Sequence, residues 1–274
     1  MHDNFFLNEH DYNLLLHELR ETPPEKEELK QIFMCIDNTS LNGSDTPSSI
    51  RSFCYNTLEM CQKTNMYVAA VCVYPIFVEL AKRIFENTPV RVASVSGGFP
   101  SGQTSINVKK QEIRYALEQG ADEIDFVINR GAFLEGNYSA LCDEVAAAKE
   151  LCREKILKVI LETGELSSPQ NIYTASLLAL HSGADIIKTS TGKIETGATP
   201  KAAYVMLSAI NEFYKNNKKY SGFKAAGGIS SIQDALMYYR MTKKILYYKS
   251  IDSHNFRIGT SRLTAEILKN LTEP

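Results

Sequence analysis

Three charged side chains lie near the ends of apolar, strand-like segments, and their types suit carbonyl chemistry. They are Lys188, Asp125 and Lys224. Because side chains alternate between the faces of a strand, Lys188 shares a face with the apolar Ile186, which predicts burial. Burial penalises the ammonium form and lowers the pKa of a lysine, so its neutral amine can attack a carbonyl. Lys188 therefore reads as a Schiff-base residue, with a structural ion-paired lysine as the alternative.

The other charges supply what Schiff-base chemistry needs. A lysine whose pKa falls from about 10.4 to roughly 7.5 requires about 4 kcal/mol of differential interaction. Burial together with the like charge of Lys224 can provide it. An aldol step also needs a group that takes a proton from a substrate hydroxyl, directly or through water, and Asp125 is the candidate. Asp37, at the end of the first strand, either completes a relay or only hydrogen-bonds in a loop.

Glycine-rich segments after the last strands predict a phosphate site. Glycines let backbone N–H groups approach an anion, and a helix that begins just beyond them adds a favourable dipole. Lys193 follows the strand candidate that contains Lys188. It is expected either to contact a substrate hydroxyl or phosphate, or to bridge two loops. The paired glycines could instead form only a tight turn. The predicted substrate-binding residues are Gly192, Lys193, Gly227, Gly228, Gly259, Thr260 and Ser261.

Apolar strand candidates alternate with helix-length segments along the chain, which predicts an α/β fold. Eight repeats favour a single (β/α)8 TIM barrel, in which the chemical residues meet at the carboxyl ends of the strands. Residues 1–30 are expected to form an N-terminal helical extension packed on the barrel, and residues 31–274 the catalytic barrel domain. The strand candidates are 31–37, 66–73, 91–96, 123–128, 157–161, 185–189, 222–225 and 257–259.

Composition narrows the classes of function. The 274 residues carry a net charge of −2, with 30 basic and 32 acidic residues interspersed, so no nucleic-acid partner is expected. No apolar stretch approaches about 18 residues, and no secretory signal is visible, so no membrane association is expected. Six cysteines without CxxC pairs favour reduced thiols and a cytoplasmic location. Five histidines show no metal-ligand spacing, so no metal site is expected.

Seven motifs lie at or near the strand candidates: Asp37-Asn-Thr-Ser-Leu-Asn42, Cys72-Val-Tyr-Pro75, Gly98-Phe-Pro-Ser-Gly102, Ala121-Asp-Glu-Ile-Asp125, Glu162-Thr-Gly-Glu165, Asp185 to Lys193 and Phe223 to Gly228. In register, over about residues 36 to 263, they resemble the deoxyribose-phosphate aldolase family. One departure is Arg262, where related enzymes often have a second serine. The side chain of Arg262 either binds the phosphate as an additional cation or points outward.

The resemblance implies a lyase that reversibly cleaves 2-deoxy-D-ribose 5-phosphate to acetaldehyde and D-glyceraldehyde 3-phosphate, without metal or organic cofactor. It implies that Lys188 forms the Schiff base, that Asp125 transfers protons and that Lys224 perturbs the reactive lysine. A homodimer is plausible from the family. The alternatives are a class I aldolase for another sugar phosphate and a sugar-phosphate-binding barrel that no longer turns over.

Overall fold

Eight short parallel strands pair in chain order and close into a barrel, which confirms the predicted fold class. The computed structural model describes residues 5–248 and 250–272. The strands are β1 (Ile36–Thr39), β2 (Ala70–Val73), β3 (Arg91–Ser96), β4 (Glu123–Val127), β5 (Ile156–Ile160), β6 (Ile186–Lys188), β7 (Gly222–Ala226) and β8 (Phe256–Thr260).

Helices follow the strands and surround the barrel. They are α1 (Glu9–Glu21), α2 (Lys26–Met34), α3 (Pro47–Thr64), α4 (Val78–Phe85), α5 (Ile106–Glu118), α6 (Arg130–Leu134), α7 (Tyr138–Cys152), α8 (Pro169–His181), α9 (Pro200–Asn217), α10 (Ile232–Leu246) and α11 (Leu263–Thr272). None of the helices in the described residues is long and apolar enough for a membrane span.

Local signals in the sequence place the starts of several helices. Helices α3, α8 and α9 each begin with proline after a capping hydroxyl, from Thr46, Ser168 and Thr199. Each hydroxyl accepts a backbone N–H three residues later, which satisfies a donor that the helix itself leaves free. Helix α10 begins at Ile232, where the hydroxyl of Ser231 caps the helix by accepting the N–H of Asp234 at 3.1 Å.

The predicted first strand is wrong over residues 31–34. These residues form the end of α2, and β1 begins only at Ile36. The apolar residues Ile32 and Phe33 are buried in helical rather than strand geometry, and such a short apolar run fits either structure by pattern alone.

The N-terminal helices lie against the outer helices α10 and α11. Arg240 of α10 makes the connection by donating to the carbonyls of Leu19, Thr22 and Pro23 and to the carboxylate of Glu28. Helix α2 runs across position 30. The proposed boundary between an extension and the barrel stays a prediction, and residues 1–4, 249 and 273–274 of those ranges lie outside the described residues.

Candidate active site

The barrel interior holds seven charged side chains in one contiguous cluster. Four are cations and three are carboxylates. All are fully buried except Lys188, which is 3% exposed. The cluster consists of Lys188, Lys158, Lys224, Arg257, Asp37, Glu123 and Asp125.

Strand register brings these side chains together. Lys188 of β6 is the register partner of Lys224 on β7, which is in turn the partner of Arg257 on β8. Asp125 of β4 is the partner of Lys158 on β5. Since side chains from neighbouring strands stack in layers inside such a barrel, charges far apart in the chain become neighbours.

Asp125 contacts three lysines. Its Oδ2 lies 2.8 Å from the Nζ of Lys188 and 2.7 Å from the Nζ of Lys224. Its Oδ1 accepts from the Nζ of Lys158 at 2.8 Å. Burial opposes ionisation of Asp125, but its lysine neighbours, above all Lys158, hold its pKa well below the usual range.

Asp37 and Glu123 pair with the cations Lys158, Lys224 and Arg257. Asp37 accepts from Lys224, from Lys158 at 3.0 Å and from Arg257 at 2.5 Å. Glu123 lies 2.6 Å from both Lys158 and Arg257. Burial opposes ionisation of both carboxyls, but the surrounding cations lower their pKa values.

Lys188 differs electrostatically from the other cations of the cluster. Burial lowers its pKa, Asp125 opposes the shift, and Lys224 lowers the pKa further. In Lys224 burial is outweighed by Asp125 and Asp37, so its pKa is raised. Burial in Lys158 is likewise outweighed by its three carboxylates, and its pKa is also raised. With Lys188 neutral, three buried cations face three buried carboxylates, so the neutral amine is the state in which the buried cluster carries no net charge.

A cavity of about 610 Å³ opens above Lys188. Lys188 is 3% exposed and lies among the lining residues, whereas Asp125, Asp37 and Lys224 lie beneath it. The lining includes every residue that the sequence predicted for substrate binding, namely Gly192, Lys193, Gly227, Gly228, Gly259, Thr260 and Ser261.

The loop after β7 offers free hydrogen-bond donors to this cavity. Within the described residues, the backbone N–H groups of Gly228, Ile229 and Ser230 donate to no acceptor. The loop leads into the N-terminus of α10, where the helix dipole favours an anion. Gly227 has a φ of +87°, and a Cβ there would lie 2.8 Å from the Cα of Gly197, so this position requires glycine.

Two cations lie at the rim of the cavity. Lys193 donates from Nζ to the carbonyl of Leu41, so it bridges the loops after β6 and β1 in this structure. Arg262 lines the cavity, is exposed and forms no ion pair with any described residue. Cys72 is fully buried among apolar neighbours inside the barrel, and burial raises the pKa of its thiol to about 11.

Comparison with known proteins identifies the family. Residues 32–242 match the model of the DeoC/LacD family aldolases. This protein is a member of the DeoC/LacD aldolase family. The chain is 43% identical to deoxyribose-phosphate aldolase from Bos taurus over 249 residues, covering 86% of this chain and 78% of the relative. It is 42% identical to the Homo sapiens enzyme over 248 residues, with the same coverages.

A solved structure supports the same relationship. The deoxyribose phosphate aldolase from Aeropyrum pernix, described as a unique tetrameric structure, superposes with a TM-score of 0.71 at 25% identity. The alignment covers 94% of this aldolase and 97% of that chain.

Sequence reasoning missed three members of the buried cluster in this aldolase. The sequence pattern alone assigns no role to Glu123, Lys158 or Arg257. Strand alternation could have found Glu123, because it precedes Asp125 by two residues and so shares its face.

Among the described residues, no group of three or more histidine, cysteine or acidic side chains is arranged to hold a metal ion.

Proposed function

We propose that this family member is a deoxyribose-phosphate aldolase that reversibly cleaves 2-deoxy-D-ribose 5-phosphate to acetaldehyde and D-glyceraldehyde 3-phosphate. The observation that carries the proposal is the buried cluster at the floor of the cavity, which is electrically balanced only when Lys188 is neutral. A neutral, accessible lysine beside a cation and a carboxylate is the arrangement that imine formation requires.

Lys188 starts the proposed reaction. Its neutral amine attacks C1 of the open-chain sugar, and loss of water leaves a protonated imine that accepts electrons. Asp125, 2.8 Å from the Nζ of Lys188, lies next to the positive charge that then forms. A fixed carboxylate in a water-poor site stabilises such a charge more strongly than water does.

Proton transfer from the C3 hydroxyl accompanies cleavage of the C2–C3 bond. The electrons of that bond move to the imine and leave an enamine, while glyceraldehyde 3-phosphate departs as an aldehyde. Because its pKa is strongly lowered, Asp125 does not retain a proton, and we assign it the role of passing the proton on through a bridging water. Lys224 and Asp37 adjoin it as the next groups of the relay. Protonation of the enamine carbon and hydrolysis then release acetaldehyde and regenerate Lys188.

The substrate phosphate is assigned to the loops after β7 and β8. The free N–H groups of Gly228, Ile229 and Ser230 support this assignment, as does the exposed cation of Arg262. Gly227, Gly259, Thr260 and Ser261 complete the same wall, while Gly192 and Lys193 border the sugar.

Two further assignments concern the setting in which the enzyme works. All six cysteines are free thiols, which supports a reducing compartment, and we propose the cytosol. A homodimer remains a prediction.

Product analysis tests the proposed function. Wild-type protein incubated with 2-deoxyribose 5-phosphate should release acetaldehyde and glyceraldehyde 3-phosphate in equal amounts, as measured by coupled dehydrogenase assays, and Lys188→Ala should release neither. Cleavage of a different sugar phosphate with no action on this substrate would indicate another aldolase. Tight binding without turnover of any sugar phosphate would indicate a binding protein.

A further inference from the structure

Glu162 is a buried carboxyl beside the cavity that the proposed reaction does not use. It follows β5 and is fully buried. Its two oxygens accept from the same residue of the next loop. The backbone N–H of Thr191 donates to Oε1 at 3.1 Å, and the hydroxyl of Thr191 donates to Oε2 at 2.5 Å.

These contacts determine what the hydroxyl of Thr191 can do. A hydroxyl has one proton to donate and two lone pairs that accept. The proton is given to Glu162, and one lone pair accepts the backbone N–H of Lys193 at 3.1 Å. Thr191 lines the cavity, and a single lone pair is all that its hydroxyl has left for a ligand. A ligand group that bonds to this hydroxyl must therefore be a donor, which excludes phosphate and carbonyl oxygens.

The backbone at Glu162 adopts a conformation that is unfavourable for a residue other than glycine. Its φ of +56° lies in the left-handed region, which side chains other than glycine rarely adopt. Such strain persists where the surrounding structure holds it, and it concentrates at functional sites. Burial raises the pKa of Glu162, while the hydrogen bonds from Thr191 and the charge of Arg130 oppose the shift and Glu165 adds to it.

We propose that Glu162 is a positioning residue which, by taking the hydroxyl proton of Thr191, makes that hydroxyl an acceptor for a substrate hydroxyl group. The inference rests on the proposed function, because the sugar supplies the donating hydroxyl. Glu162 also connects the loop after β5 to the loop that carries Lys193, so it holds both Thr191 and Lys193 at the cavity wall.

Glu162→Gln tests the inference with almost no change in volume. The N–H of Thr191 needs an acceptor, so the introduced glutamine must turn its carbonyl oxygen there and its NH₂ group toward the Thr191 hydroxyl. The hydroxyl then accepts from this new amide and directs its own proton away, which reverses its polarity toward the substrate. Loss of one hydrogen bond to the sugar should raise KM for 2-deoxyribose 5-phosphate about tenfold, with kcat changed less than about threefold.

Variants at Thr191 provide the matched controls. Thr191→Val should give a similar rise in KM with Glu162 intact, and Thr191→Ser, which keeps the hydroxyl, should stay within about twofold of wild type. In the Thr191→Val background, Glu162→Gln should raise KM no further, because the two residues act through one hydrogen bond. An unchanged KM in either single variant, or additive effects in the double variant, would overturn the inference. Turnover by the wild type is measured in parallel, so that a failure of the proposed function is recognised separately. If Glu162→Gln does not fold, the KM of Thr191→Val tests the inference instead.

Discussion

Replacing Lys224 with methionine should raise the pKa that governs imine formation at Lys188. The Nζ atoms of the two lysines bond to the same Oδ2 of Asp125, at 2.8 and 2.7 Å, so they lie no more than about 5.5 Å apart. Both side chains are buried, and salt screens their interaction little. Methionine removes the charge and keeps most of the volume.

The size of the effect follows from that separation. Two unit charges about 5.5 Å apart repel each other by about 3 kcal/mol at an effective dielectric constant of about 20. This corresponds to about 2 pKa units. Removing Lys224 also frees Asp125 to pair more completely with Lys188, which shifts the pKa in the same upward direction. At pH values below the wild-type pKa, the neutral fraction of Lys188 should fall about 100-fold.

The pH dependence of kcat/KM measures this shift, because it reports groups of the free enzyme. In Lys224→Met the rising limb of the profile should move about 2 units to higher pH, and activity should partly recover in alkaline buffer. Lys193→Met is the matched control, since it removes a lysine that bonds to a loop carbonyl outside the buried cluster. Its rising limb should stay in place. A profile of Lys224→Met that superposes on the wild type would refute the electrostatic reasoning.

Two more substitutions test other parts of the account. Arg262→Ala should raise KM for deoxyribose 5-phosphate about three- to tenfold, because a cation at the phosphate wall is lost, and should leave KM for unphosphorylated deoxyribose unchanged. An equal rise for both sugars would show that the arginine does not contact phosphate. Arg257→Met should lower the free energy of unfolding by about 3–5 kcal/mol, because it leaves Asp37 and Glu123 buried with too few cations. Urea denaturation at neutral pH measures this loss, and a decrease below about 1 kcal/mol would contradict it.

Apolar strand patterns and a closed parallel barrel are enough to predict that Lys188, Asp125, Lys224 and Asp37 lie close together. The predicted position at the strand end holds for Lys188 alone, because Asp125 and Lys224 lie in the middle of β4 and β7 and Asp37 is the second residue of β1. Gly227 and Gly228 after β7, and Gly259 near the end of β8, are predictable for a different reason, since glycine shortly before a helix start is a local signal.

What the sequence left out depends on contacts between distant strands. Lys158 and Arg257 lie in short runs where an inward charge and an outward charge look alike. Each also bonds to a carboxylate on a strand across the barrel, namely Asp37 for Lys158 and Glu123 for Arg257. The role of Glu162 depends on a left-handed backbone conformation that nothing in the Glu-Thr-Gly-Glu motif specifies. The helical ending of α2 was misread as strand because Ile32 and Phe33 give no periodicity over so few residues.

Borohydride trapping of Lys188 tests the central claim most directly. Wild-type protein mixed with deoxyribose 5-phosphate and borohydride should lose activity and gain the mass of a reduced adduct on the peptide that contains Lys188, and on no other lysine. Lys188→Ala should gain no adduct. An adduct on a different lysine, or full activity without any adduct, would contradict the account.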